Sequence, residues 1–130
     1  AVNQIELHPF HQQAEALKVM AKFGVQPQAW APFAEGKNEL FMNPVLKAIG
    51  DKYGKSNAQV ALRFLIQLGV SVLPKTVTKS RMIENKNVFD FELTTEDTDV
   101  IKQLDNGVSL YFSHRDPDMV ERLVGLTRKF

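Results

Sequence analysis

Apolar and polar positions alternate so as to divide the chain into short strand-like runs, each followed by a helical pattern. Three runs have the character of parallel strands: "AVNQIEL" (1–7), "VQPQAWAPF" (25–33) and "VSVLPK" (70–75). After the first, "QQAEALKVMAKFG" (12–24) puts Ala14, Leu17, Met20 and Ala21 on one helical face and stops at Gly24. After the second come two helical stretches, "NPVLKAIGDKYG" (43–54) and "SNAQVALRFLIQLG" (56–69). Pro44 suits a first helical turn, Ser56 with Gln59 fits a capping box, and Gly69 fits a C-terminal cap. The third strand leads into "TKSRMIENKNVF", with Thr78 at the N-cap. A further helix is predicted over "TTEDTDVIKQLD" (94–105), whose first-turn acids suit the helix dipole. The tail beyond it is irregular, with a short helix near Met119 to Val124.

Strand and helix in repeated succession predict an α/β architecture with a parallel sheet. No internal repeat, low-complexity run or composition break divides the chain. The connection "FAEGKNELFMN" (33–43) is too long for a tight turn and is the candidate functional loop. Parallel sheets need both faces covered, and three strands leave two unpaired edges. The pattern therefore predicts part of a larger sheet or barrel.

Composition narrows the function classes. The chain has 130 residues, 44% hydrophobic and 24% charged, with a formal net charge of +1. Those are ordinary values for a soluble globular domain. The near-neutral balance argues against nucleic acid as a partner. With no cysteine there is no disulfide, thiolate nucleophile or cysteine-held metal, which is compatible with a cytoplasmic setting. No apolar run is long enough for a membrane span, and "AVNQIELHPF" lacks the pattern of a signal peptide.

The chemistry concentrates in "VLPKTVTKSRMIEN" (72–85). Lys75 and Arg81 bracket the start of a helix, where free amides and the dipole favour an anion, and Thr76 and Thr78 add hydroxyls. A solvated helix start with a capping threonine is the bland reading of the same residues. The Gln4 amide, in mid-strand, needs a hydrogen-bond partner, whether neighbouring backbone or a ligand. Trp30, the only tryptophan, ends the second strand, where a core residue is the bland reading. His8 and His11 have a spacing that binds metal on a helix, but Pro9 interrupts any helix there, and no metal site is expected.

The segments "VNQIELHPF", "AWAPFAEGKN", "AQVALRFLIQLGVSVLPKTVTKSRMIENKNVF" and "HRDPDMVERL" together resemble the C-terminal part of the aldo-keto reductases, closest to the bacterial branch. The resemblance covers essentially the whole chain. It implies a (β/α)₈ barrel, a fold of about 250 residues, with this chain supplying the sixth to eighth strands and the tail. It also implies NADPH as cofactor. Lys75, Thr76 and Arg81 would surround the 2′-phosphate, with Val77 in the same turn and Glu84 and Asn85 near the adenine. Gln4 would orient the nicotinamide carboxamide, and Trp30, where tyrosine is usual, would lay its ring against the nicotinamide. The segment 32–37 would fold over the pyrophosphate, Gly36 supplying flexibility and Lys37 charge. In the tail, His114 and Arg115 would either line a substrate pocket or pin the tail to the barrel, and Tyr111 and Phe112 are equally open.

The family's reaction reduces an aldehyde or ketone, a tyrosine giving the proton with lysine, aspartate and histidine beside it. Those four belong to the first half of the barrel, and none has a counterpart here. Tyr53 lies at a helix end away from any barrel mouth, and Tyr111 has no recognisable partners. No catalytic residue is therefore assigned. The expectation is a cofactor-binding portion, inactive alone, that self-associates through its strand edges or pairs with an N-terminal half. The alternative is a non-catalytic nucleotide-binding or assembly module built from the same barrel.

Overall fold

The computed structural model describes residues 1–113 and 116–126. Three parallel strands, β1 (Val2–Glu6), β2 (Gln26–Trp30) and β3 (Ser71–Val72), lie side by side in that order. In register, Gln4 faces Gln28, Glu6 faces Trp30, and Gln28 faces Ser71. Because side chains alternate, Gln4, Glu6, Gln28, Trp30 and Ser71 share one face, and Ile5, Ala29 and Val72 share the other. The helices cover the second face. Leu7, Ala29, Val60, Phe64, Leu65 and Val70 are buried there in one core that extends to Leu46, Ile49 and Ile101. The outer edges of β1 and β3 carry no partner strand among the described residues.

The helices are α1 (Ala14–Lys22), α2 (Pro44–Tyr53), α3 (Asn57–Gln67), α4 (Lys79–Lys86), α5 (Thr95–Lys102) and α6 (Pro117–Val124). Local signals fix several of their ends. Pro44 opens α2 behind an Asn43 cap, and Ser56 with Gln59 forms the capping box of α3. Gly24 and Gly69 take φ of +63° and +78° beyond α1 and α3, in the left-handed region that favours glycine.

Several details differ from the expected ones. The third strand pairs only over Ser71–Val72, because Pro74 brings no N–H to continue the ladder. Helix α1 starts at Ala14 rather than at residue 12. Gln12 instead spends its side-chain amide on the Pro9 and Ile101 carbonyls, at 2.7 and 2.9 Å. Thr78 stands at the N-cap of α4, yet its side chain makes no capping bond; its own N–H donates to Thr76 Oγ1 at 3.1 Å. The 33–43 connection is a kinked run of short 3₁₀ turns, Ala34–Met42, with left-handed backbone at Ala34, Glu35, Gly36, Asn38 and Glu39.

Candidate functional site

The turn between β3 and α4 faces the start of α3 across a cavity of about 290 Å³. Lys75, Thr76, Arg81, Glu84 and Asn85 line one side, and Phe33, Phe41, Ser56, Asn57 and Ala58 line the other. Five of the expected residues are thus brought to one place by sequence neighbours on β3–α4. The opposite wall is long-range. Asn57 holds it in position by donating to the Leu40 and Asn43 carbonyls, each at 3.0 Å, which ties the 34–42 segment to α3. Phe33 and Phe41 pack together at 5.8 Å between ring centroids. No pattern around these two phenylalanines marks them in the sequence, since loop aromatics carry no periodicity.

The site's charges are distinctive in what they lack. Among the described residues neither Lys75 nor Arg81 makes an ion pair, and both are exposed. Glu84, the acid on the same wall, accepts from the Ser56 hydroxyl. Thr78 makes no side-chain cap, so the first N–H groups of α4 have no capping acceptor from it. Two unpaired cations beside a helix start, facing two aromatic rings, make a suitable seat for a nucleotide phosphate with its base.

A second cavity, of about 500 Å³, adjoins the first and shares Phe33, Phe41 and Lys75 with it. Trp30, Ala31, Pro32, Glu35 and Leu73 complete its lining. Together the two make a groove from Arg81 to Trp30. Gln4 lies outside both; it is exposed on the same sheet face as Trp30, and its amide donates to Gln28 Oε1 at 3.0 Å. Its partner is therefore a side chain across the strand, not the backbone. Val77 is not brought in: it is 91% exposed and lines neither cavity. His114 and Arg115 lie outside the described residues.

Lys37 departs from expectation. Its ammonium donates to the Leu110 carbonyl at 3.0 Å and lies 3.9 Å from the centroid of the Tyr111 ring. Tyr111 in turn packs on Trp30 at 5.0 Å between centroids. Burial pushes the Tyr111 phenol up to about 12, with Glu35 and Glu6 adding to it, so it is a weaker acid than an ordinary tyrosine.

Tyr53 sits in a tyrosine–lysine–aspartate cluster that sequence reading missed. Its hydroxyl donates to Asp97 Oδ2 at 2.6 Å, and Lys52 reaches Asp97 Oδ1 at 2.6 Å. The cluster lies between α2 and α5 on the helical layer, and the hydrogen bond to Asp97 raises the Tyr53 phenol, with burial adding to it. A proton donor needs the opposite tuning. The cluster is a pin between helices. His8 is likewise spoken for. Its Nδ1 accepts from the Phe10 N–H at 3.3 Å, which leaves Nε2 to donate to Glu6 at 3.0 Å. No helix among the described residues is long and apolar enough to cross a membrane.

The aldo/keto reductase family model matches residues 1–106. An aldo-keto reductase of Mycolicibacterium smegmatis is 46% identical over 110 residues, which are 85% of this chain and 39% of that protein. The methylglyoxal reductase DkgA of Escherichia coli K12 is 40% identical over 117 residues, 90% of this chain and 42% of that protein. A crystal structure of a silkworm aldo-keto reductase complexed with NADPH superposes with a TM-score of 0.77 at 41% identity, over 83% of this chain and 36% of that one. The chain thus spans about two fifths of the length of the relatives it matches.

Proposed function

Since the chain belongs to the aldo-keto reductase family, we propose that it forms the NADPH-holding part of a carbonyl reductase acting on aldehydes or ketones. The observation that carries this reading is the groove from Arg81 to Trp30, with unpaired cations at one end and an aromatic ring at the other. Lys75, Thr76 and Arg81 would hold the 2′-phosphate, Glu84 and Asn85 would contact the adenine, and Phe33 and Phe41 would wall the middle. Gln4 and Trp30 share a sheet face, so an amide and a ring are available to orient a nicotinamide. Bound there, the cofactor supplies hydride to a carbonyl carbon.

What this chain does is bind, orient and shield. Among the described residues neither tyrosine is a poised proton donor: Tyr53 is committed to Asp97, and burial holds the Tyr111 phenol above its ordinary value. The reading of these residues as inactive alone stands beside a second one, a nucleotide-binding module without catalysis. Trp30 fluorescence tests the shared premise. As the sole tryptophan, it should be quenched saturably by NADPH in the folded chain. Emission that stays constant through saturation would rule out its placement beside the nicotinamide. Carbonyl-dependent NADPH oxidation by the chain alone would rule out the inactive reading.

A further inference from the structure

Lys37 is the only cation in the 34–42 segment, and it points away from the groove and onto the C-terminal tail. The tail meets it already anchored. The Ser109 hydroxyl donates to Glu6 Oε2, and the Leu110 N–H donates to Glu6 Oε1 at 2.9 Å. Ser109 Oγ in turn accepts from the Tyr111 and Phe112 amides, each at 3.1 Å. Tyr111 therefore leaves a fixed turn with its ring in contact with both the Lys37 ammonium and the Trp30 indole. An ammonium over an aromatic face and on a carbonyl makes two favourable contacts, one electrostatic with the ring and one a charged hydrogen bond.

The backbone around Lys37 gives the contact a purpose. Lys37 itself is extended, at φ −62° and ψ 158°, between left-handed Glu35 and Gly36 on one side and left-handed Asn38 and Glu39 on the other. Non-glycine residues hold that conformation only where surrounding contacts enforce it. Asn57 fixes the far end of the segment at Leu40 and Asn43. Lys37 fixes its near end.

We propose that Lys37 is a positioning residue: it clamps the tail at Tyr111, steadies the Trp30 ring through Tyr111, and joins the 34–42 segment to the tail as one moving unit. The clamp follows from contacts within this chain; only its consequence for a nicotinamide on Trp30 rests on the function proposed above. If segment and tail move together, whatever orders one lowers the cost of ordering the other. A ligand packed on Trp30 would then tighten both.

The test uses the full chain without cofactor. Lys37→Met keeps the stem and removes the charge. Acrylamide should quench Trp30 more readily in that variant. Chymotryptic cleavage beside Tyr111 and Phe112 should run about 5- to 30-fold faster, as expected when a local opening loses a clamp of this size. Lys37→Arg should restore both readouts, since a guanidinium can rest on a ring and donate to a carbonyl. Unchanged quenching and cleavage in Lys37→Met would overturn the clamp, and so would a Lys37→Arg variant as loose as Lys37→Met. Should Lys37→Met fail to fold by circular dichroism, Tyr111→Leu removes the ring while leaving the ammonium, and Trp30 as shielded as in the parent would overturn the clamp. An NADPH titration separates the two claims. A working clamp with no NADPH quenching sinks the cofactor reading alone; NADPH quenching with cleavage indifferent to Lys37 sinks the clamp alone.

Discussion

Glu6 has 1% of its surface exposed, on a strand whose other face packs into the core. Burial opposes its ionisation, but the Ser109 hydroxyl, the Leu110 N–H and His8 outweigh it and hold the carboxyl below its ordinary 4.5. Burial pushes His8 below its ordinary 6.5 despite the neighbouring Glu6, so the pair is a neutral imidazole donating to a carboxylate. The linkage has one sign for both groups. Each has a folded pKa below its unfolded one, so the unfolded chain takes up protons first as pH falls, and stability drops. The His8 window opens below 6.5 and the Glu6 window below 4.5. Urea midpoints measured from pH 8 downward should decline through both windows, and His8→Gln should flatten the first. A midpoint level between pH 7 and 5 would contradict the neutral buried imidazole. Nothing local in "VNQIELHPF" discloses this, because two of the partners of Glu6 lie more than 100 positions away in sequence.

Elements were legible where their signals are local. The capping box of α3, the proline that opens α2 and the glycines beyond α1 and α3 each depend on residues within one turn. The 34–42 segment was visible only as a long connection, since its shape comes from Asn57 and Lys37, contacts formed after the chain folds back. The α2–α5 pin was illegible for the same reason, its partners lying 44 and 45 positions apart. Asp97 is 2% exposed, caps α5 by accepting from the Thr94 N–H, and receives the Tyr53 hydroxyl. Lys52 is largely solvated, and its ion pair adds little. Asp97→Ala should therefore cost about 2–4 kcal/mol, from a charged hydrogen bond and a cap lost together. Thermal or urea unfolding checks it; a loss within error of zero would show that α2 and α5 hold by apolar packing alone.

At the scale of the molecule, the family explains what a three-stranded parallel sheet leaves open. Its polar face, carrying Gln4, Gln28 and Ser71, and the outer edges of β1 and β3 are surfaces that a (β/α)₈ barrel encloses. With those edges bare, the chain alone should self-associate, and light scattering should give a mass above one chain that rises with concentration. A strict monomer over that range would mean that the edges are protected in some other way. The five wall residues of β3–α4 were readable because they lie within eleven consecutive positions, whereas Phe33, Phe41, Ser56, Asn57 and Ala58 reach the cavity only through the fold.

The central claim is that the unpaired cations at the start of α4 select a phosphorylated dinucleotide, and Arg81→Ala tests it most directly. Losing a hydrogen bond to a charged group should cost about 1.5–3 kcal/mol, roughly a 10- to 150-fold weaker Kd for NADPH. NADH binding, measured on the same sample by Trp30 fluorescence, should stay nearly unchanged. Equal weakening of both nucleotides, or of neither, would contradict a 2′-phosphate seat at Arg81.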